Sequence, residues 1–268
     1  SDFYHTDTNM KTEDFVKLTE GTDCKVYPAI HNQISMDAPN EHYKLMTQAN
    51  FRAAAQNFYT HGADGVQFYN YQVHWQRRYD DGPDPHRWLT FAWMWPKALG
   101  YFREVRDLET VSQGDRHYLF YPLWPKSAPT YGVKDERIVL DRTEPAAQGS
   151  QRFRVSEDLS DPKLRATLLF KAVDLTQKES LELWLNGTRV PQKQITRRFQ
   201  KTGQNEWQGV ELAPFYLYII DIPRGMAEPL IINGDNELTV RVIPTEAQSE
   251  GTVTIDELEV YVYCLGSE

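Results

Sequence analysis

A chain of 268 residues is long enough for two domains, and its net charge of −9 excludes a nucleic-acid surface, which needs clustered positive charge to displace counterions. The pairs Arg77-Arg78 and Arg197-Arg198 are too isolated for a phosphate patch and read as solvated faces. No apolar run approaches the length that spans a bilayer, so neither nucleic acid nor membrane is an expected partner.

In chain order, Ser1 to Met10 is polar and aromatic and reads as a strand-end loop. It has neither a starting Met nor a basic-plus-apolar leader, so a processed or truncated chain is expected. Thr12-Glu13-Asp14 opens a short helix with Thr12 as N-cap and acids in the first turn, and Gly21 stops it. Cys24 to Ile30 reads as a strand, with an end or bulge at Pro28, followed by the polar cluster His31-Asn32-Gln33. A long helix then runs from Glu41 to Thr60, with Phe51, Ala54, Ala55, Phe58 and Tyr59 in one apolar stripe. Gly62 takes the positive-φ position after it, and Gly65 to Tyr69 forms the next strand. Residues from Tyr71 to His86 form a long, turn-rich loop, and Arg87 to Phe102 a helix kinked at Pro96.

After Asp115 the period changes from helical to two. Strands are expected over 117–124, 137–140, 151–155, 166–173, 181–185, 208–222, 237–243 and 252–263. Asn186-Gly187 is a hairpin signal and Gly234-Asp235-Asn236 a second turn. This is a β-sandwich pattern, with a domain boundary between Leu108 and Asp115 dividing the chain into 1–112 and 113–268. Leu181, Leu183 and Leu185 should face one side of their strand and Glu182 and Trp184 the other, under a loop or the neighbouring domain. Trp184, Trp207, Tyr216 and Tyr218 are the sandwich's possible binding aromatics. Alternation sends half of any such set inward, and Trp207 is the exposed candidate. Cys24 and Cys264 lack metal or redox spacing and read as two buried thiols.

The segments His5-Thr6-Asp7, Val26 to Ile30, Arg52 to Tyr59 and Gly62 to Asn70 resemble the closing part of glycoside-hydrolase-like (β/α)8 barrels. In those proteins an R-x-A-A-x-N-x-Y helix leads through a G-A-D-G turn into the last barrel strand. Tyr101 to Val105 followed by Asp115 to Tyr118 is similar to their connection into a β-domain. The second half is similar to galactose-binding-like jelly rolls, through Leu185-Asn186-Gly187, Phe215 to Tyr218 and Gly234 to Val240. The resemblance implies α/β plus all-β: the closing βα units of a TIM-type barrel over 1–112, then a jelly-roll sandwich over 113–268. It also implies a secreted or periplasmic location. Residues 1–112 hold at most three strand positions, too few to close eight strands, so an upstream half or another chain is expected to complete the barrel. Without it, that half should be associated, poorly protected or prone to aggregate.

In α/β folds ligand-facing groups sit where strands end. On that rule His31, Asn32, Tyr69, Asn70, His74 and Trp75 form one candidate cleft, with the alternative that the aromatics merely cap a core. Histidine can hydrogen-bond a hydroxyl or move a proton near neutral pH, and aromatic rings stack on sugars. Glycoside hydrolysis uses two carboxyl groups about 5–10 Å apart. The acids in the strand-end loops are Asp7, Asp37 and the turn residues Asp80, Asp81 and Asp84. Asp7 and His74 are the expected catalytic groups, against an N-capping or surface role for Asp7. His5, His31, Asn32, Tyr69, Asn70 and Trp75 are the expected substrate contacts. A metal site from His5, Asp7, His31 and His74 lacks motif spacing, so no metal and no cofactor are expected. The function expected is the C-terminal portion of a carbohydrate-active hydrolase, its main acids upstream; the alternative is a non-catalytic carbohydrate-binding or scaffold protein.

Overall fold

The structure is a computed structural model describing residues 11–31, 46–69, 95–120, 137–144, 147–201, 214–224, 229–243 and 250–265, with backbone placement alone at His31, Tyr69 and 95–98. Period-two burial from residue 116 onward builds two antiparallel sheets around one core. The first sheet joins β3 (Arg116–Leu119), β12 (Thr252–Cys264), β6 (Leu164–Val173), β10 (Phe215–Ile222) and β9 (Ile195–Gln200) in that order, and β4 (Ile138–Asp141) also pairs β12. The second joins β5 (Gln148–Val155), β11 (Gly234–Ile243), β7 (Ser180–Leu185) and β8 (Thr188–Arg189). Leu168, Phe170, Ile220 and Val260 of one sheet meet Phe153, Leu183, Leu238 and Val240 of the other, all within 1 % of full burial. Alternation holds because one face of each strand is apolar and the other is solvated.

The Asn186-Gly187 hairpin joins β7 to β8. Both residues have positive φ, 51° and 77°, as the tight turn requires. Leu181, Leu183 and Leu185 point into the core, as alternation demands. Trp184 lies half-buried on the other face, beneath the Arg241 guanidinium of β11 at 5.2 Å instead of a loop. Asn186 donates to Leu230 O at 3.0 Å and Asn236 Oδ1 at 2.8 Å, and accepts from Glu237 N at 2.9 Å. Gly234 to Asn236 is the start of β11 and not a turn. Asn236 is buried, and its amide donates to Ile232 O and Gly234 O while accepting from Ile232 N. Changing Asn186 to Ala removes these bonds and leaves a Cβ residue without local polar support at positive φ. A loss of about 1–3 kcal/mol is expected, read as a lower urea midpoint at unchanged slope. An unshifted midpoint would show that the turn tolerates Ala.

The α/β expectation for the first half is overturned. The described chain is mostly antiparallel β-sheet with four helices, and among the described residues no closed barrel forms. The helices are α1 (Thr12–Thr19), α2 (Gln48–Thr60), α3 (Trp95–Glu104) and α4 (Leu108–Ser112). One parallel pair remains, β1 (Ala29–His31) with β2 (Gln67–Tyr69), joined through α2 and only three residues each. The helix does not cover a barrel. Phe51, Ala54, Ala55 and Phe58 pack with Ile30, Tyr101, Val111 and Leu119, while Ala53 on another face enters the sandwich core. Its polar residues reach the sheets as well: Asn50 donates to His117 O at 3.0 Å, Gln56 to Ser156 O at 3.1 Å, and Ser156 donates to Asn57 Oδ1 at 2.8 Å.

Several boundaries also move. Lys11 is the N-cap of α1, and Thr12 is its first, buried residue. At α2, Thr47 and Asn50 form a reciprocal capping box, so the helix begins at Gln48; residues 41–45 of the expected span lie outside the described residues. Pro96 lies within α3; residues 87–94, on which the expected kink also depends, lie outside the described residues. The strand expected from Cys24 starts only at Ala29: Val26 N donates to Asp64 Oδ2 at 2.9 Å, and Pro28 has no N–H to give. Cys24 is therefore exposed and Cys264 partly so, which corrects the expectation of two buried thiols. The loop 71–86 and residues 87–94 ahead of α3 lie outside the described residues.

Candidate functional site

The β1–β2 pair positions the strand-end candidates. Ile30 is fully buried, and Phe68 packs edge-on to Phe102 at 4.4 Å and tilted against Phe51 at 5.6 Å, which fixes the pair against α2 and α3. Gly62, at φ 90°, reverses the chain after α2. Asp64 then holds the incoming segment by accepting from Val26 N and pairing with Lys25 at 3.0 Å. That backbone bond first, and Lys25 second, keep its carboxyl below the ordinary carboxylate value. The register Ala29↔Gln67, Ile30↔Phe68, His31↔Tyr69 brings the backbones of His31 and Tyr69 to adjacent positions at the same C-terminal edge. His5, Asp7, Asn32, Asn70, His74 and Trp75 lie outside the described residues, as does Trp207.

A second site lies between β7 of one sheet and β9, an edge strand of the other. It is a cavity of about 530 Å³ between β7, the Val190–Gln192 turn, β9 and β10. On β9 the inward positions are Ile195, Arg197 and Phe199. Phe199 is 56 % exposed and packs against Tyr216 at 5.1 Å, and the Arg197 guanidinium lies 3.6 Å above the Tyr216 ring. Arg197 donates to Glu179 O at 2.6 Å and Thr176 O at 2.7 Å. Tyr218 stands at the cavity's base, 2 % exposed and stacked on Phe170 at 5.1 Å; burial pushes its hydroxyl up to about 12. Glu182, the carboxylate in the lining, has its oxygens occupied by Arg189 and Arg241. It is spent on structure and is not placed to move a proton.

Tyr216 and Tyr218, two positions apart, share the inward face of β10, with Tyr216 half-buried towards the strand's start and Tyr218 in the core. The expectation that Arg197-Arg198 is a solvated pair holds for Arg198 alone. The signal that could have found Arg197 is the alternation in Ile195-Thr196-Arg197-Arg198-Phe199, which puts an arginine between two apolar residues on one face.

Two further polar clusters lie on the first sheet. His117 Nε2 meets Glu259 Oε2 at 2.8 Å, and its ring stacks on Tyr261 at 3.6 Å; burial, then Glu259, raises the Tyr261 hydroxyl. At the bulge of β12, Asp256 is held above its ordinary value by burial and by the adjacent Glu257, which pairs with Lys171. Among the described residues, no three His, Cys, Asp or Glu side chains cluster as a metal site would need.

No protein-family model matches the chain, and no curated protein does. Among solved structures, the catalytic unit of a thermostable GH87 α-1,3-glucanase from Streptomyces thermodiastaticus strain HF3-3 aligns with 48 % of this chain and 26 % of its own, at 11 % identity and a TM-score of 0.22. The chain thus spans about a quarter of that structure. A superposition this loose carries no argument about fold or activity.

Proposed function

We propose that this chain is part of a carbohydrate-active, glycoside-hydrolase-like protein that contacts glycan at the C-terminal edge of β1 and β2, with the sandwich as an accessory module. The observation that supports this is the parallel register, which sets His31 beside Tyr69 and makes one edge the origin of both polar-aromatic segments. In this reading Asp7 and His74 serve as proton-transfer groups, and His5, Asn32, Asn70 and Trp75 hold hydroxyls and a ring face together with His31 and Tyr69. A second reading, a non-catalytic glycan-binding chain, is favoured by the sandwich cavity. Its lining carboxylate is occupied by two arginines, and among the described residues no second acid lines it.

The test is retention of the full chain on a panel of immobilised polysaccharides, with reducing-sugar release measured in parallel. One polysaccharide should retain the chain, and W75A and H74A should each weaken retention about tenfold while keeping the wild-type melting temperature, the loss expected when an aromatic or polar anchor is truncated. Sugar release would select the hydrolase reading, and retention without release the binding reading. Absence of retention on every polysaccharide, or folded W75A and H74A variants that bind as wild type, would defeat the strand-edge assignment.

A further inference from the structure

The cavity between β7 and β9 carries surplus positive charge in a chain whose net charge is −9. We propose that it binds a small carboxylate, with the Arg197 guanidinium as the anchor. Arg197 is fixed in advance: the Tyr216 ring lies under it at 3.6 Å, and the carbonyls of Thr176 and Glu179 hold its two terminal nitrogens. Those acceptors are uncharged. Among the described residues no carboxylate pairs with Arg197, and its other N–H donors have no acceptor; Nε is one of them.

The nearby acids are already committed. Glu182 is shared by Arg189 and Arg241, and the Glu179 carboxylate pairs with Arg142 at 2.7 Å. Among the described residues, an entering anion therefore meets one guanidinium without a countercharge and no free acid to repel it. A planar carboxylate matches the fork of guanidinium donors.

The remaining wall suggests the body that carries this group. Leu181, Val190 and Ile195 present carbon, which suits the C–H face of a ring or a short chain. A volume of about 530 Å³ lies within the range of small-molecule sites, roughly 300–1,000 Å³. A hexuronate and a short fatty acid share the required chemistry, and the experiment separates them. The proposal stands apart from the strand-edge reading, since none of its residues belongs to β1 or β2.

The test is calorimetric titration of the full chain with sodium D-glucuronate, with hexanoate, and with D-glucose. At least one carboxylate should saturate the chain, glucose should bind about tenfold more weakly or not at all, and the carboxylate that binds identifies the ligand body. R197Q should weaken carboxylate binding about tenfold or more. Q192E places a negative charge on an exposed turn at the cavity wall without touching the core, and should weaken binding several-fold even if R197Q fails to fold. R198Q, on the exposed opposite face of β9, should bind as wild type. The assignment would be overturned by carboxylate heats no larger than those of glucose up to about 10 mM, by a folded R197Q with wild-type affinity, or by equal losses in R197Q and R198Q.

Discussion

Changing Glu157 to Gln should lower the melting temperature by roughly 10 °C, the largest effect expected of any single polar substitution in this chain. Glu157 is 3 % exposed and accepts from Arg116 Nε and Nη2 and from the Tyr118 hydroxyl at 2.7 Å. Arg116 is 1 % exposed. Burial works against its charge, but the hydrogen bonds and charge of Glu157 outweigh that penalty and hold the guanidinium above its usual value. Burial first, and the Glu157 charge second, drive the Tyr118 hydroxyl well above its ordinary value. Removing the carboxylate charge leaves a buried guanidinium unpaired, at a cost of about 3–5 kcal/mol, and each kcal/mol moves the melt by about 2–4 °C at this chain length. Replacing both partners together, as R116M/E157L, should recover most of the loss, because no buried charge is then left over. Scanning calorimetry checks both. An E157Q melt within about 2 °C of wild type would show that the pair is not the polar keystone of this end of the core.

Changing Phe51 to Ala should cost about 3–5 kcal/mol, the range for truncating a fully buried aromatic. Phe51 sits 5.5 Å from Tyr101 and 5.6 Å from Phe68, so its removal opens a hole where α2, α3 and β2 converge. The shape of the melt is as informative as its midpoint. Asn50, Gln56 and Asn57 bind α2 to the sandwich, and Arg154 of β5 reaches Glu13 of α1 at 2.6 Å. The expected result is one cooperative transition at lower temperature. A two-step melt, with the sandwich keeping its wild-type transition, would show that the helical layer unfolds by itself.

Legibility followed the range of each physical signal. Strand alternation and the Asn-Gly turn are local properties, so β5, β6, β7, β11 and β12 fall close to their expected spans. The edge strand β9 escaped because its outward face is polar and its inward face carries Arg197 between Ile195 and Phe199. The first half misled because an apolar stripe at 51, 54, 55 and 58 serves equally for a barrel helix and for one laid on an antiparallel sheet. What decides between them is where Asn50, Gln56 and Asn57 find partners, 67 to 100 positions away in sequence. No window-based pattern carries that information. The strand-end rule names His31 and Tyr69, whose backbones are register partners, and its other candidates lie outside the described residues. Most of the Arg197 cavity's wall lies within 180–197, but Tyr218 of β10 and Ile243 of β11 complete it from outside that segment.

The placement of β12 also governs the order in which this molecule can be assembled. One of its edges takes β4 and then β3 in succession, while the other lies along β6, and Glu259 meets His117 across 142 positions of chain. Closing so long a loop carries a large entropic cost before any contact repays it. Until β12 arrives, one edge of β6 has no hydrogen-bonding neighbour, and Leu168 lacks its cross-strand partner Val260. A ribosome therefore releases nearly the whole sandwich before its first sheet can close, and the nascent chain passes through a stage with a long apolar strand edge open to association.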